Sequence, residues 1–361
     1  MKRILSLLTL AIFVASCQQQ APEQVSLSWS EGEPLPIAIS NNAVTSAEID
    51  GKPHLFTFLG LEKGKTYEDV SDFAARYNVE EQSWEEIAGV PDEIGRLAST
   101  AEVVNGHVYI FGGYTVAEDG NEVSTQQVFK YDPANNTYEQ VSNMLLPVED
   151  AVSLVYQDRY IYLVSGWNNT NNVSNVQIYD TQTDSWEHAT PYPGPPVFGH
   201  AGGIVGNTMI LSDGVQAIVD EGERIFNMSP GSIKGEIDAE DPSQINWSRI
   251  SQHPGQARYR MAAIGIESPV EMVVFIGGTT NPYNYNGIGY NLTPSFPEST
   301  AFAYRLDTNE WVELGEQPTP SMDHRGIAKA GNEYYIIGGL IDGQRVTNLV
   351  QKFTVQMKAA N

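Results

Sequence analysis

Short polar segments, each preceding a β-like stretch, carry most of the side chains in this sequence that could do chemistry. The segments read "AISNNAV", "IGRLAST", "PVEDAVS", "PVFGHAGG", "QARYRMAA" and "SMDHRGIA". The chain of 361 residues has only 20 lysines and arginines, yet four arginines fall within these segments. Guanidinium and imidazole groups beside carboxylates suit an anionic or polyhydroxylated ligand, provided that the fold brings the segments together. The candidate ligand-binding and catalytic residues are Arg96, Glu149, Asp150, His200, Arg258, Arg260, Asp323, His324 and Arg325.

The stretch "TTNPYNYNGIGYNLTPSFPEST", residues 279–300, is the richest aromatic patch of the chain and reads as a loop. It carries Tyr283, Tyr285 and Tyr290 between Asn, Gly and Pro residues, and its one charged residue is Glu298. Tyrosine rings combine apolar faces with a polar hydroxyl, which suits the C–H faces and hydroxyls of a sugar. We predict that this loop binds a ligand. The alternative is a loop that packs on itself and seals the surface beneath it.

The same polar segments hold candidates for proton transfer. A carboxylate at Glu149, Asp150 or Asp323 would be the base, and the imidazole of His324 would be the acid. The alternative for each arginine and carboxylate is mutual neutralisation between repeats, and for His200 it is a hydrogen-bonded structural role. The sequence therefore leaves open whether the protein is an enzyme.

The composition excludes nucleic acids as partners and favours a globular β protein. The formal net charge is -25, so DNA, RNA and anionic head groups should repel the protein. Hydrophobic residues make up 41% of the chain and charged residues 18%, while 32 glycines and 20 prolines suit many short strands and turns. The sequence has no phosphate-binding Gly-rich loop, no HExxH zinc motif and no GxSxG elbow, so we predict no cofactor and no metal.

The N-terminus has the features of an export signal. Two basic residues precede "ILSLLTLAIFVAS", an apolar run that is too short for a stable membrane span, and the run ends in "VASC". This ending resembles the lipobox of bacterial lipoproteins. The resemblance implies a signal peptide at residues 1–16, lipid on Cys17 and a tether at residues 17–24. Gln18, by the same resemblance, favours the outer membrane of the cell envelope, at its periplasmic or its outer face. An ordinary signal peptide with an incidental cysteine is the alternative.

A repeat of roughly 45–60 residues must position the polar segments, and a period of this length suggests a propeller or an array. One half of the unit is an apolar β run that ends in a Gly pair, as in "VNGHVYIFGG", "PVEMVVFIGG" and "GNEYYIIGG". The other half carries a Tyr and a later Trp or Tyr, as in "VQIYDTQTDSWEHA". Each unit predicts four strands, a to d. Its a–b turn is tight, as at Asn105-Gly106, because Asn and Gly tolerate positive φ.

The Gly pair and the spaced aromatic residues resemble the kelch repeat over nearly the whole chain after the tether. Kelch resemblance implies an all-β fold, a six-bladed β-propeller over residues 25–361. The last blade lacks a fourth strand, and "VSLSWSEGEPLP" near the N-terminus is predicted to supply it. In such a fold the d–a connections and the b–c loops share one face, so the polar segments and the tyrosine loop should meet at one mouth of the channel. The blades are expected to start near Leu35, Arg96, Val148, Val197, Arg258 and Met322.

The kelch resemblance also implies classes of function. Kelch propellers are often interaction platforms, and the periplasmic sialic-acid mutarotases resemble this chain in length, export and blade number. Galactose oxidase is another kelch propeller, but its copper chemistry needs a Tyr–Cys crosslink, and the only cysteine here lies ahead of the propeller. We predict a membrane-tethered kelch propeller that binds a ligand of the carbohydrate class at its mouth. A sugar mutarotase or epimerase and a protein-interaction scaffold are the alternatives.

Overall fold

Each repeat of the sequence folds into one four-stranded antiparallel sheet, and six of these sheets surround a central channel. The structure is a computed structural model that describes residues 24–91 and 94–358. The six-bladed all-β propeller predicted from the repeats is confirmed. Among the described residues the helical structure is a 3-10 turn at Tyr67–Asp69, and no helix is long and apolar enough to cross a membrane. The signal peptide, Cys17 and the tether up to residue 23 lie outside the described residues.

The strands of each blade follow one another outwards from the channel in the order a, b, c, d. They are Ala43–Ile49, Lys52–Leu61, Val70–Asn78 and Ser83–Glu86 in blade 1; Thr100–Val104, His107–Phe111, Val128–Asp132 and Thr137–Val141 in blade 2; Val152–Tyr156, Tyr160–Val164, Val176–Asp180 and Ser185–His188 in blade 3; Ala201–Val205, Thr208–Ser212, Ser232–Ile237 and Ile245–Ile250 in blade 4; Ala262–Ile266, Met272–Ile276, Thr300–Arg305 and Glu310–Glu316 in blade 5; and Ala328–Ala330, Glu333–Ile337, Val350–Lys358 and Gln24–Glu31 in blade 6. The b–c loops of blades 2, 4 and 6 add the hairpins Tyr114–Val116 with Glu122–Ser124, Val215–Asp220 with Glu223–Met228, and Leu340–Ile341 with Arg345–Val346.

The N-terminal strand Gln24–Glu31 completes blade 6, as the sequence predicted. It pairs antiparallel with Val350–Lys358 over its whole length, and Trp29 stands opposite Phe353 with ring centroids 5.0 Å apart. An unpaired strand at this position would present free backbone N–H and C=O groups to other chains. The closure therefore joins the two ends of the domain and removes that edge.

The aromatic residue of strand d ties five of the six blades to the one before it. Trp186 of blade 3 donates its indole N–H to the carbonyl of Ser142, just after strand d of blade 2, at 2.9 Å. Because the ring is apolar and its N–H is polar, one side chain can fill the space between two sheets and still satisfy a donor. Equivalent bonds run from Trp84 to Glu33, from Tyr138 to Ala88, from Trp247 to Thr190 and from Trp311 to Ser251.

The turn after strand b, with a Gly pair in blades 2, 5 and 6 and a single glycine in blades 1, 3 and 4, is where each blade holds its own d–a connection. Gly166 of blade 3 has a φ of 109°, and a Cβ there would lie 2.8 Å from the carbonyl oxygen of Glu149. The next residue, Trp167, then forms a backbone bridge with Glu149, with both N–H groups donating at 3.0 Å. A corresponding bridge occurs in all six blades. The glycine that ends this turn therefore fixes the position of the polar segment that leads into strand a.

Candidate functional site

The residue after each bridge has a left-handed backbone, and these six residues form a ring around the channel that we call the collar. The N–H of Asp150 donates to the carbonyl of Ala98 at 3.2 Å, and the N–H of Gly199 donates to Asp150 at 2.9 Å. Arg260 continues the ring by donating to Gly199 at 2.8 Å. Non-glycine residues adopt this backbone only where their surroundings enforce it. The collar consists of Asn41, Ala98, Asp150, Gly199, Arg260 and Asp323, with φ between 50° and 75°.

The collar brings two arginines and two aspartates from three blades into one buried ion-pair network. Arg260 bonds Asp150 through Nη2 at 2.6 Å and Asp323 through Nη1 at 3.0 Å. Arg325 lies 2.7 Å from Asp150 and 3.6 Å from Asp323, and it donates to Oδ1 of Asn41 at 2.6 Å. The four charged side chains are at most 3% exposed. The mutual neutralisation that the sequence left open is therefore present here, and the network has no net charge.

Glu149 and Asp150 are neighbours in the sequence, and the pKa values of their carboxyl groups are shifted in opposite directions. Burial raises the pKa of Glu149 well above its ordinary value, although a hydrogen bond from Oγ of Ser124 at 2.7 Å opposes this effect. Burial also disfavours ionisation of Asp150, but Arg260 and Arg325 outweigh it and hold the pKa of Asp150 below its ordinary value. Burial therefore favours the neutral form of Glu149, whereas the two arginines favour the carboxylate form of Asp150.

A polar cavity of about 300 Å³ fills the channel on the strand side of the collar. Asp150, His200, His324 and Arg325 line its collar end. Its walls are the a strands of all six blades, and it extends along them to the exposed Lys329. Four of the residues proposed from the sequence thus meet in one cavity.

Both histidines of the cavity are neutral near pH 7. Burial lowers the pKa of His200 to about 4, although Asp150 acts in the opposite direction. Burial and then the charge of Arg325 lower the pKa of His324 to about 3. A neutral imidazole is a poor proton donor, so the acid role predicted for His324 finds no support in its surroundings. The ring nitrogen Nε2 of His324 lies 2.8 Å from Oγ of Ser321, which gives it a structural partner.

Several polar atoms at the collar end are buried without a hydrogen-bond partner among the described residues. They include both ring nitrogens of His200, whose ring lies close to the backbone of Val164 without a hydrogen bond of ordinary geometry, and Nε of Arg325. Both residues line the cavity. Leaving a buried donor or acceptor unsatisfied costs about 1–3 kcal/mol, so native proteins pair such atoms with protein, water or ligand. The cavity is where partners for these atoms would lie.

The tyrosine loop at residues 279–300 lies across the collar, on the face of the propeller that carries the b–c loops, which we call the loop face. Tyr283 is fully buried, its hydroxyl lies 3.2 Å from Oδ1 of Asp323, and its ring meets Tyr259 edge-on at 5.3 Å. Tyr290 stacks on Phe226 of the blade 4 hairpin at 3.9 Å. These contacts are those of a lid, the alternative interpretation of this loop. Tyr283 cannot offer its face to a ligand while the lid is in place.

The far end of the lid reaches the opposite side of the propeller. Tyr285 is half-buried and packs against the cluster that contains Leu61 and Tyr114 of blades 1 and 2. Nζ of Lys65 donates to the carbonyls of Asn286 and Gln344, at 3.1 Å and 2.7 Å. Blades 1, 2, 4, 5 and 6 therefore all contribute to holding the lid.

Arg96 and Arg258 lie outside the cavity and bond the backbone of the Gly-pair turns. Arg258 donates from Nη1 to the carbonyl of Gly277 at 3.1 Å, and Arg96 does the same to Gly112 at 3.3 Å. The left-handed backbone at the first glycine turns its carbonyl out of the sheet, so the carbonyl needs a donor from elsewhere. The ligand-binding role predicted for these two arginines finds no support in this geometry.

Glu102 and Ser153 also line the cavity, and sequence reasoning did not single them out. Oγ of Ser153 donates to Oε1 of Glu102 at 2.8 Å, between strands a of blades 2 and 3. The signal in the sequence was a charged residue within an otherwise apolar strand, "STAEVV". In the part of the chain that the structure describes, no cluster of three or more His, Cys, Asp or Glu side chains could hold a metal ion.

Comparisons with known proteins agree with this architecture. The family model "Attractin/LZTR1 beta-propeller" matches residues 61–350. Human Kelch-like protein 15 is 24% identical over 254 residues, which cover 66% of this chain and 38% of that protein. The chain thus spans less than two fifths of the length of that relative. Kelch-like protein terF of Aspergillus terreus is 24% identical over 366 residues, covering 95% of this chain and 72% of its own.

Two further similarities concern proteins of comparable extent. The N-acetylneuraminate epimerase of Salmonella arizonae is 23% identical over 306 residues, covering 72% of this chain and 75% of its own. A solved structure described as "Structure of YjhT" superposes with a TM-score of 0.70 at 15% identity, covering 91% of this chain and 100% of that one. At that identity the structural likeness concerns the fold.

Proposed function

This chain belongs to the attractin/LZTR1 β-propeller family and is a kelch-type propeller, and we propose that it binds a small polyhydroxylated ligand of the carbohydrate class at the collar end of its channel. The observation that carries the proposal is the set of unpartnered buried atoms on His200 and Arg325, beside a cavity of about 300 Å³. A cavity of that size is at the lower end of the range for small-molecule sites.

Hydroxyl groups match the chemistry of these atoms. The neutral imidazole of His200 has one donor and one acceptor nitrogen, and Nε of Arg325 is a donor. A sugar hydroxyl both donates and accepts, so adjacent hydroxyls can satisfy a donor and an acceptor that lie side by side. The similarity to a protein named N-acetylneuraminate epimerase supports a sugar as the ligand.

The test is calorimetric titration of the full-length protein with monosaccharides, using His200→Phe to remove the two nitrogens. Phenylalanine keeps a flat ring of similar size, so the cavity stays closed while its hydrogen bonds are lost. His188→Phe, in the exposed outer strand of blade 3, is the matched control. We expect binding by the wild type and the control, and at least about a ten-fold weaker affinity in His200→Phe, which corresponds to the loss of 1.4 kcal/mol. Equal affinities in all three proteins would contradict the proposed site.

A sugar mutarotase or epimerase is the second candidate, and the opposite pKa shifts of the adjacent residues Glu149 and Asp150 favour it. Asp150 lines the cavity, whereas Glu149 is not among the lining residues and accepts a hydrogen bond from Ser124. Adjacent carboxyl groups with opposite pKa shifts are typical of a general acid beside a general base. Anomeric interconversion needs this pair of roles, since one proton leaves the anomeric hydroxyl and another reaches the ring oxygen. Glu149→Gln should then abolish anomer exchange, measured by NMR on a sugar that binds, while the affinity changes little.

Membrane tethering through lipid on Cys17 is part of the same proposal. The lipobox-like "VASC" and the short polar segment after it support it. Radiolabelled fatty acid incorporated in a bacterial host would be absent from Cys17→Ala if the cysteine is the attachment point.

A further inference from the structure

Glu102 is the acidic side chain on the cavity wall that has no counter-ion among the described residues. Its carboxylate accepts the hydrogen bond from Ser153, and no ion pair of the described part of the chain includes it. Glu102 is half-buried by its accessible surface, and its desolvation within the channel raises its pKa to about 7, although the hydrogen bond from Ser153 opposes this effect. The group is therefore close to half ionised at neutral pH and becomes a full negative charge above it.

The remaining charges of the cavity do not offset that charge. At the collar end Arg325 and Arg260 are neutralised by Asp150 and Asp323, as described above. Lys329 is exposed at the other end, and its ammonium lies 5.9 Å from the ring of Tyr334. Solvent and salt screen such a charge much more strongly than a buried one.

We propose that Glu102 is a specificity-determining residue of the channel, which binds uncharged polyhydroxylated ligands with the help of Ser153 and rejects anionic ones such as sugar acids. This inference rests on the proposed function, because it names the class of ligand for the same cavity. The four arginines alone would predict the opposite preference, for anionic ligands, and N-acetylneuraminate, in the name of one relative, is itself a sugar acid. Two of those arginines bond backbone turns, and the other two are already neutralised by aspartates.

The pH range in which this selectivity appears follows from the groups that share the cavity with Glu102. The two arginines hold the pKa of Asp150 below its ordinary value, while burial lowers the pKa of His200 to about 4 and that of His324 to about 3. The a strands of blades 1 and 5 contribute no charged residue to the lining. Between pH 6 and pH 8 Glu102 is thus the lining group that gains charge, and the affinity for an anion should fall as the pH rises.

The experiment compares sugars that differ only in a carboxylate, D-glucose with D-glucuronate and D-galactose with D-galacturonate. Dissociation constants are measured by calorimetry on the full-length protein at pH 6 and pH 8. We expect the neutral member of a pair to bind about ten-fold or more tightly than the acid at pH 8, and the ratio to shrink at pH 6. A like charge in one low-dielectric cavity is sufficient for an effect of this size.

Glu102→Gln tests the residue directly, since the amide keeps the shape and an acceptor for Ser153. We expect this variant to bind the acids about ten-fold more tightly at pH 8 and to lose the pH dependence. Glu139→Gln, an exposed glutamate in strand d of the same blade, should behave as the wild type. The wild-type pH profile stands as a test even if a variant folds poorly.

The outcomes separate this inference from the proposed function. If the acids bind at pH 8 as tightly as the neutral sugars, or if Glu102→Gln leaves the ratio unchanged, the role of Glu102 is refuted while sugar binding stands. If neither member of either pair binds, the proposed function is contradicted and the inference falls with it.

Discussion

Arg260 shows how one side chain can hold a site together without touching its cavity. It joins aspartates that lie 110 and 63 residues away in the sequence, and it is 3% exposed. Burying a charge is expensive unless partners surround it, so each member of this network depends on the others. The network sets the low pKa of Asp150 and leaves the collar end of the cavity without net charge.

Arg260→Met should destabilise the protein by about 3–5 kcal/mol, because it leaves one excess buried carboxylate charge. The matched control is Arg159→Met, whose pair with Asp180 has the same 2.6 Å distance but is partly exposed. We expect the control to lose much less stability, because solvent screens an exposed ion pair. Urea unfolding followed by circular dichroism measures both values, and equal losses would contradict the account of the network.

Glu102 should make the stability of the protein depend on pH. Its pKa in the folded chain is about 7, against an ordinary value of 4.5, so the folded state binds more protons than the unfolded state between these values. Stability is therefore lost as the pH rises from about 4.5 to about 7, by roughly 3 kcal/mol in total. Relative to the wild type, Glu102→Gln should gain stability over this range in urea unfolding. A constant difference between the two proteins from pH 4.5 to pH 7.5 would count against the burial of Glu102.

The lid is the element whose behaviour the sequence predicted least well. Its composition fits a sugar-binding loop and a self-packed cover equally, because the deciding contacts are with residues far away in the chain, Asp323 and Phe226. The blades and the N-terminal closing strand were predictable, because the Gly pair and the strand d aromatic recur within each repeat. Local spacing thus determined the strands, whereas the fate of Tyr283 depended on the assembled ring of blades.

Lys65→Met should loosen the lid without affecting the blades. The substitution keeps an apolar stem and removes the bonds from Nζ to Asn286 and Gln344. We expect amide hydrogen exchange at residues 279–300 to become several-fold faster, while the b strands exchange as before. Lys63→Met, an exposed lysine in the same b–c loop, is the control. Unchanged exchange in the lid would show that the lysine does not hold it.

At the scale of the whole molecule, the collar and the lid close the channel on the loop face. At the opposite face, which carries the a–b and c–d turns and which we call the turn face, the channel reaches exposed residues. The propeller topology predicted that the d–a connections converge, and Asp150, His200, His324 and Arg325 do meet there. It could not predict which charges would cancel, since that depends on distances between blades. Nor did it single out Glu102, because strand a residues gain significance only once the channel they line is known.

The tether, if lipid is attached to Cys17, should bring the turn face towards the membrane. Gln24–Glu31 is a d strand, and d strands run from the turn face to the loop face, so Gln24 begins at the turn face. Six residues lie between Cys17 and Gln24, so the two are at most about 25 Å apart. A fluorophore on Asn135→Cys, in a c–d turn, should be quenched by spin-labelled head groups more strongly than one on Leu292→Cys in the lid. The reverse order would contradict this orientation.

The channel site is tested most directly by the ring-nitrogen NMR signals of His200 during a sugar titration. The protein has six histidines, and His200→Phe assigns the signals. We predict that a neutral sugar shifts the His200 signals in a saturable way, as its hydroxyls pair the two unpartnered nitrogens, while the signals of exposed His188 stay in place. If the His200 signals do not move while calorimetry shows that the sugar is bound, the ligand lies elsewhere and the proposed site is wrong.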